Sequence, residues 1–162
     1  MPKLAKIAVA FFLATLFAST SSIAQGPNSN SEPDHFIGVW KLDLEKHPRS
    51  GVKSQTLTIE KQQNLYTIAF DLFGEKHDET HWSTTTDMNG GLVKPVQANG
   101  KPLAAERFTR LDSNSFTEKS DLTEQRYRVS EDGKTMEMEM IYLHTGGNTA
   151  MPKIVVEYVR AN

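Results

Sequence analysis

The feature that most constrains this chain is the regular recurrence of turn-forming clusters after residue 34. They are Pro48-Arg49-Ser50-Gly51, Gln63-Asn64, Gly74, Asn89-Gly90-Gly91, Asn99-Gly100, Asp112-Ser113-Asn114, Asp121, Asp132-Gly133 and Gly146-Gly147-Asn148. A cluster every ten to sixteen residues is the spacing of all-β sandwiches and barrels. Asn-Gly and Asp-Gly pairs are its strongest members, because tight hairpin turns need positive φ at their central residues. Between the clusters lie about ten short segments with a period of two, and no window has a helical stripe. The spans are 36–44, 54–60, 65–73, 76–86, 92–97, 103–111, 115–120, 123–130, 134–143 and 152–160. Strands joined only by tight turns can close on themselves and so hide their edges. The expected fold is therefore all-β, an antiparallel up-and-down meander barrel of about 8–10 strands. The chain has no cysteine, so no disulfide can hold it and a packed core must.

The first residues follow another logic. Lys3 and Lys6 precede the apolar run 7–18, and Ser22-Ile23-Ala24 offers small residues where a signal peptidase reads. This is the tripartite pattern of a secretory signal, with a core too short for a permanent membrane span. Residues 1–24 are expected to be a signal peptide, and the polar stretch 25–34 a flexible leader. Residues 35–162 then form the barrel domain. Cleavage after Ala24 leaves 138 residues with 16 basic and 20 acidic groups, a net charge of -4. Such a chain is expected to be exported and soluble, in a periplasm or outside the cell. Its acidic balance argues against nucleic acid or an anionic membrane as partner.

Alternation along each strand assigns faces. Met136, Met138, Met140 and Tyr142 share an inward side, opposite Glu137 and Glu139. Tyr66, Ile68, Phe70 and Leu72 share a face, as do Phe36, Trp40, Leu42 and Leu44. In the segment 103–111 one face carries Glu106, Phe108 and Arg110, and the other Leu103, Ala105, Arg107 and Leu111. One arginine of this strand is expected to point into the barrel.

Phe36-Ile37-Gly38-Val39-Trp40-Lys41-Leu42 reads F-x-G-x-W-K-L. Gly38 lets another backbone segment come close, and Trp40 supplies a large apolar plug for one end of a barrel. This opening resembles the start of calycin barrels, the group containing lipocalins and fatty-acid-binding proteins. In lipocalins a late arginine packs over the first-strand tryptophan, and Tyr158-Val159-Arg160 is similar in position. The resemblance implies that Arg160 lies on Trp40. It departs from fatty-acid-binding proteins in two ways. Residues 45–53 are too short for their helical lid, and Tyr158-x-Arg160 reverses their carboxylate-binding Arg-x-Tyr. The chain also resembles small exported bacterial lipocalin-like proteins with a Trp-Lys-Leu opening and a late Asp-Gly-Lys-Thr hairpin, here Asp132–Thr135.

No nucleophile elbow, P-loop or dinucleotide fingerprint occurs, so no cofactor and no enzymatic activity is expected. His77, Glu79 and His81 would share a face of a strand, a spacing that can chelate a divalent metal. If Trp82 points inward, however, these histidines face solvent. His35, His47 and His144 read as leader or loop residues, and the carboxylates as members of outer faces.

The leading expectation is a barrel that holds a small hydrophobic or amphipathic molecule without transforming it. Its wall would come from Tyr66, Phe70, Trp82, Phe108, Tyr127, Met138 and Met140. An inward Arg107 or Arg110 would meet an anionic head group, which relieves the cost of an unpaired internal charge. Gly38, Trp40 and Arg160 would close the barrel. The alternative is a filled barrel acting through its surface on a protein partner, as an inhibitor or envelope module.

Overall fold

The computed structural model describes residues 33–48, 51–76, 78–143 and 153–161. The strands are β1 (Gly38–Leu42), β2 (Val52–Gln62), β3 (Leu65–Gly74), β4 (Glu79–Thr86), β5 (Asn89–Val93), β6 (Val96–Gln97), β7 (Glu106–Arg110), β8 (Ser115–Lys119), β9 (Thr123–Val129), β10 (Thr135–Tyr142) and β11 (Ile154–Arg160). All belong to one antiparallel sheet, in the order β5-β7-β8-β9-β10-β11-β1-β2-β3-β4-β6. The sheet curls into a half-barrel, and the described residues contain no helix. The expected all-β, antiparallel class is the class observed. After β1 the chain makes a short turn, in which Asp43 Oδ1 accepts the amide hydrogens of Glu45 and Lys46.

Register follows the hydrophobic alternation, because a slip of one residue would turn every core side chain outward. Leu57 faces Phe70 and Ile59 faces Ile68 across β2 and β3. Met138 sits between Tyr127 of β9 and Val156 of β11. The first and last strands pair, Trp40 opposite Arg160 and Leu42 opposite Tyr158.

The meander breaks at one place. Asn89-Gly90-Gly91, expected as a turn, lies inside β5, where the register shifts against β7 between Asn89 and Leu92. Gly90 has φ 80°, and a left-handed glycine serves a bulge as well as a hairpin. The actual corner is Asp87-Met88, stapled by Thr86 Oγ1 accepting the Met88 amide. The single strand expected over 92–97 is two, because Pro95 between them has no amide hydrogen to donate. β6 turns back to pair with β4, and β5 pairs with β7. Consecutive strands β5 and β6 therefore lie on opposite margins of the sheet, which leaves a seam.

Burial divides the interior in two. Near the rim where β1 begins, Phe36, Trp40, Ile59, Ile68, Phe108, Phe116 and Met136 are at most 1% exposed. Burying such side chains contributes about 1.5–3 kcal/mol each. Toward the opposite rim, Phe70, Leu72, Trp82, Met140 and Ile154 are only half-buried. The first half is closed and the second open.

Candidate binding site

The closed end is fastened by groups the sequence reading placed in part. Trp40 donates its indole N–H to the Phe36 carbonyl at 2.8 Å. The Arg160 guanidinium lies 4.2 Å from the Trp40 ring centre, the stacking that the resemblance implied. Arg160 also donates to the carbonyls of Gly133 at 2.7 Å, Ile37 at 2.9 Å and His35. Gly38 is required here, because a Cβ at this position would stand 2.6 Å from Arg160 Nη1.

A second fastening corrects the reading of residues 25–34 as leader throughout. The Asp34 side chain is 1% exposed and accepts three hydrogen bonds. They come from Tyr66 Oη at 2.6 Å, Lys61 Nζ at 2.8 Å and Arg110 Nε at 2.6 Å. Burial alone would raise its pKa; the donors outweigh it and hold the carboxyl below its usual value. His35, read as unpaired, donates its amide to the Ser113 carbonyl at 2.7 Å. This segment belongs to the domain because a buried carboxylate with three donors is a structural member.

The two arginines expected to anchor a ligand do neither. Arg110 is taken by Asp34 at the closed end. Arg107 lies on the outer face, exposed, and donates to the Gly90 carbonyl at 2.9 Å. The residue of this strand that faces the interior toward the open half is Glu106, on the face of Phe108. Among the described residues, its Oε2 is a buried oxygen without a hydrogen-bond partner, and burial raises the Glu106 pKa.

Beside it lies a ring of three side chains. Tyr127 Oη is 3.1 Å from Glu118 Oε2 and 3.0 Å from Gln125 Oε1. Gln125 Nε2 donates to Glu118 Oε1 at 3.1 Å. Tyr127 has one proton, so an ionised Glu118 leaves either Glu118 Oε2 or Gln125 Oε1 without a donor. A neutral Glu118 donates to Tyr127, Tyr127 to Gln125 and Gln125 back to Glu118, which satisfies every group. Burial, with repulsion from Glu106, pushes the Glu118 pKa up to about 8. The same burial and the neighbouring Glu118 raise that of Tyr127. A nearby buried bond joins Gln55 Nε2 to Tyr158 Oη.

The rest of the open half is apolar. Phe70 and Trp82 stack with ring centres 5.6 Å apart at 17°. Trp82, Met140, Ile154, Val93 and Leu44 pack against the core without being fully covered. Of the expected wall, Phe70, Trp82 and Met140 lie here, and Tyr127 and Met138 are buried just below. Phe108 and Tyr66 belong to the closed half, where they are filling rather than lining.

His81 lies on the outer face, opposite to Trp82, with Nδ1 2.7 Å from Asp71 Oδ1 and Nε2 3.4 Å from Glu79 Oε2. Asp71, then Glu79, raise its pKa. His77 and His144 lie outside the described residues. Among those described, no group of three metal-ligating side chains converges.

Sequence reasoning missed Glu118, Gln125 and Gln55. Alternation places Glu118 with Phe116, and that was the available signal; the prior that carboxylates face water hid it. No family model matches the chain, and no curated protein matches it. What stands is an all-strand antiparallel half-barrel, a fold compatible with a barrel.

Proposed function

We propose that this is an exported, non-catalytic binding protein of the calycin type, holding a small amphipathic molecule in the open half of its barrel. The apolar body lies against Phe70, Trp82 and Met140. The head group is a hydrogen-bond donor or cation, not the anion expected from sequence, because the inward group left without a partner is the Glu106 carboxyl, an acceptor. One observation carries this reading: the buried, unpartnered Oε2 of Glu106 on the inner face toward the open rim. An unsatisfied buried acceptor costs about 1–3 kcal/mol, and a donor on a ligand removes that cost. Pockets of this kind are apolar with a few convergent polar groups.

The test is titration with dodecylamine and with lauric acid, followed by tryptophan fluorescence. Dodecylamine quenches saturably, lauric acid does so more weakly, and Trp82→Phe abolishes the response while Glu106→Gln weakens it. Absence of saturable quenching by either probe, or an unchanged response in Trp82→Phe, overturns the proposal.

A further inference from the structure

The outer face of β7, β8 and β9 carries a groove of about 460 Å³, separate from the interior. Its walls include Arg107, Lys119, Arg126 and Arg128, and its floor Thr109, Thr117 and Ser115. This placement follows from register. Arg107 stands opposite Lys119 and Thr109 opposite Thr117. Thr117 in turn faces Arg126, and Ser115 faces Arg128. Alternation sends all of them outward, since Phe108, Phe116 and Tyr127 occupy the other side.

One carboxylate lines the groove. Glu124 pairs with Arg126 at 2.8 Å and with Lys119 at 3.8 Å. Among the described residues, Arg107 and Arg128 have no carboxylate within ion-pair distance. The nearest acids to Arg128 by position are Asp112, whose carboxyl is held below its usual value first by Ser115 and also by Arg128, and Glu137, opposite on β10. Glu139, opposite Arg126, is engaged by Lys153 at 2.6 Å. The acidic row of β10 bounds the groove, so an anion is confined to the strip over β7–β9. A chain with more acidic than basic groups has thus gathered four cations around a hydroxyl floor.

We infer that this groove binds an elongated polyanion, a saccharide carrying phosphate or sulfate groups. Arginine forks onto such oxygens with paired, charge-assisted hydrogen bonds. From strand spacing and rise, Arg107 and Arg128 stand roughly 16 Å apart at Cα, which places a cation toward each end of the groove. They grip two anionic groups, and the part-exposed Thr109 and Thr117 between them match the hydroxyls of a sugar. The site is independent of the interior pocket.

Calorimetric titration of the full chain with sucrose octasulfate, inorganic phosphate and 1:1 phosphatidylglycerol–phosphatidylcholine vesicles tests this. Octasulfate binds saturably, tighter than inorganic phosphate, and leaves Trp82 emission unchanged. The double variant R107Q/R128Q weakens octasulfate at least about tenfold, while K53Q, exposed on β2 and four strands away from β9, does not. Both variants alter exposed side chains, and near-ultraviolet circular dichroism verifies their folding. The inference is overturned if wild type shows no saturable octasulfate binding, or if K53Q loses as much as the double variant. Vesicle binding without octasulfate binding also overturns it, in favour of a lipid surface.

Discussion

The closed and open halves of the half-barrel are built from the same strands and differ in what meets at each rim. At the closed rim, the two charges that fasten it have specific partners: Arg160 has three carbonyls and a tryptophan face, and Asp34 has three donors. At the open half, aromatic rings remain partly uncovered and Glu106 Oε2 is buried without a donor. The difference teaches that stability is concentrated at one end, which frees the other to retain unfavourable groups. Real proteins break local rules at functional sites and compensate elsewhere.

The largest expected effect breaks the closed half. Trp40→Ala removes a fully buried ring and the platform for Arg160, costing about 3–5 kcal/mol in urea unfolding. A loss near 1 kcal/mol would contradict the assignment of the core to this end. Asp34→Ala follows, at about 3 kcal/mol, the low side for breaking a buried ion pair. The low side applies because Lys61 and Arg110 are a third exposed and can rehydrate. With Asp34 depressed in the fold, its stabilisation is present above pH about 4 and is lost as pH falls through the folded value.

Glu118→Gln sharpens the comparison from the other side. The folded pKa of Glu118 is about 8, above the unfolded carboxyl, so the unfolded state releases this proton first. Wild-type stability accordingly falls as pH rises from about 4.5 to 8. The amide keeps the three-membered ring closed at every pH, so the variant is more stable than wild type at pH 8 and the gap narrows toward pH 4.5. Melting temperatures of both proteins across this range, coinciding throughout, would sink the neutral-ring account. Trp82→Ala then costs only about 1–2 kcal/mol, since the ring is half-covered, yet it abolishes the dodecylamine response. The smallest effect belongs to His81→Gln, because the pair with Asp71 is on the surface. Its raised pKa adds stability that is present below pH about 6.5 and lost as pH rises through the folded value. Thermal scans at pH 5.5 and pH 8 check this.

Much of the closed half was legible in the sequence. F-x-G-x-W near the start and an arginine near the end point to each other as soon as a barrel is assumed, and the structure places Arg160 on Trp40. The strand spans and the Met side of β10 follow from alternation, which a half-buried sheet enforces. The seam was not legible: Asn89-Gly90-Gly91 reads equally as hairpin or bulge, and only pairing with β7 chooses. Nor was the polarity of the open half. Residues 106–111 offer Glu106, Arg107 and Arg110 in turn, and alternation leaves open which face meets the core.

The sequence by itself determined the strand positions outside 89–97, the antiparallel class and the residues that plug one end, because these depend on local period and turn chemistry. Tertiary structure alone decided the rest. Asp34 becomes a core residue only where Lys61, Tyr66 and Arg110 converge on it. Glu118 keeps its proton near neutral pH only because strands β7–β9 remove water and bring Glu106, Gln125 and Tyr127 beside it. Desolvation and charge proximity join residues distant in the chain, and no local pattern of letters encodes them.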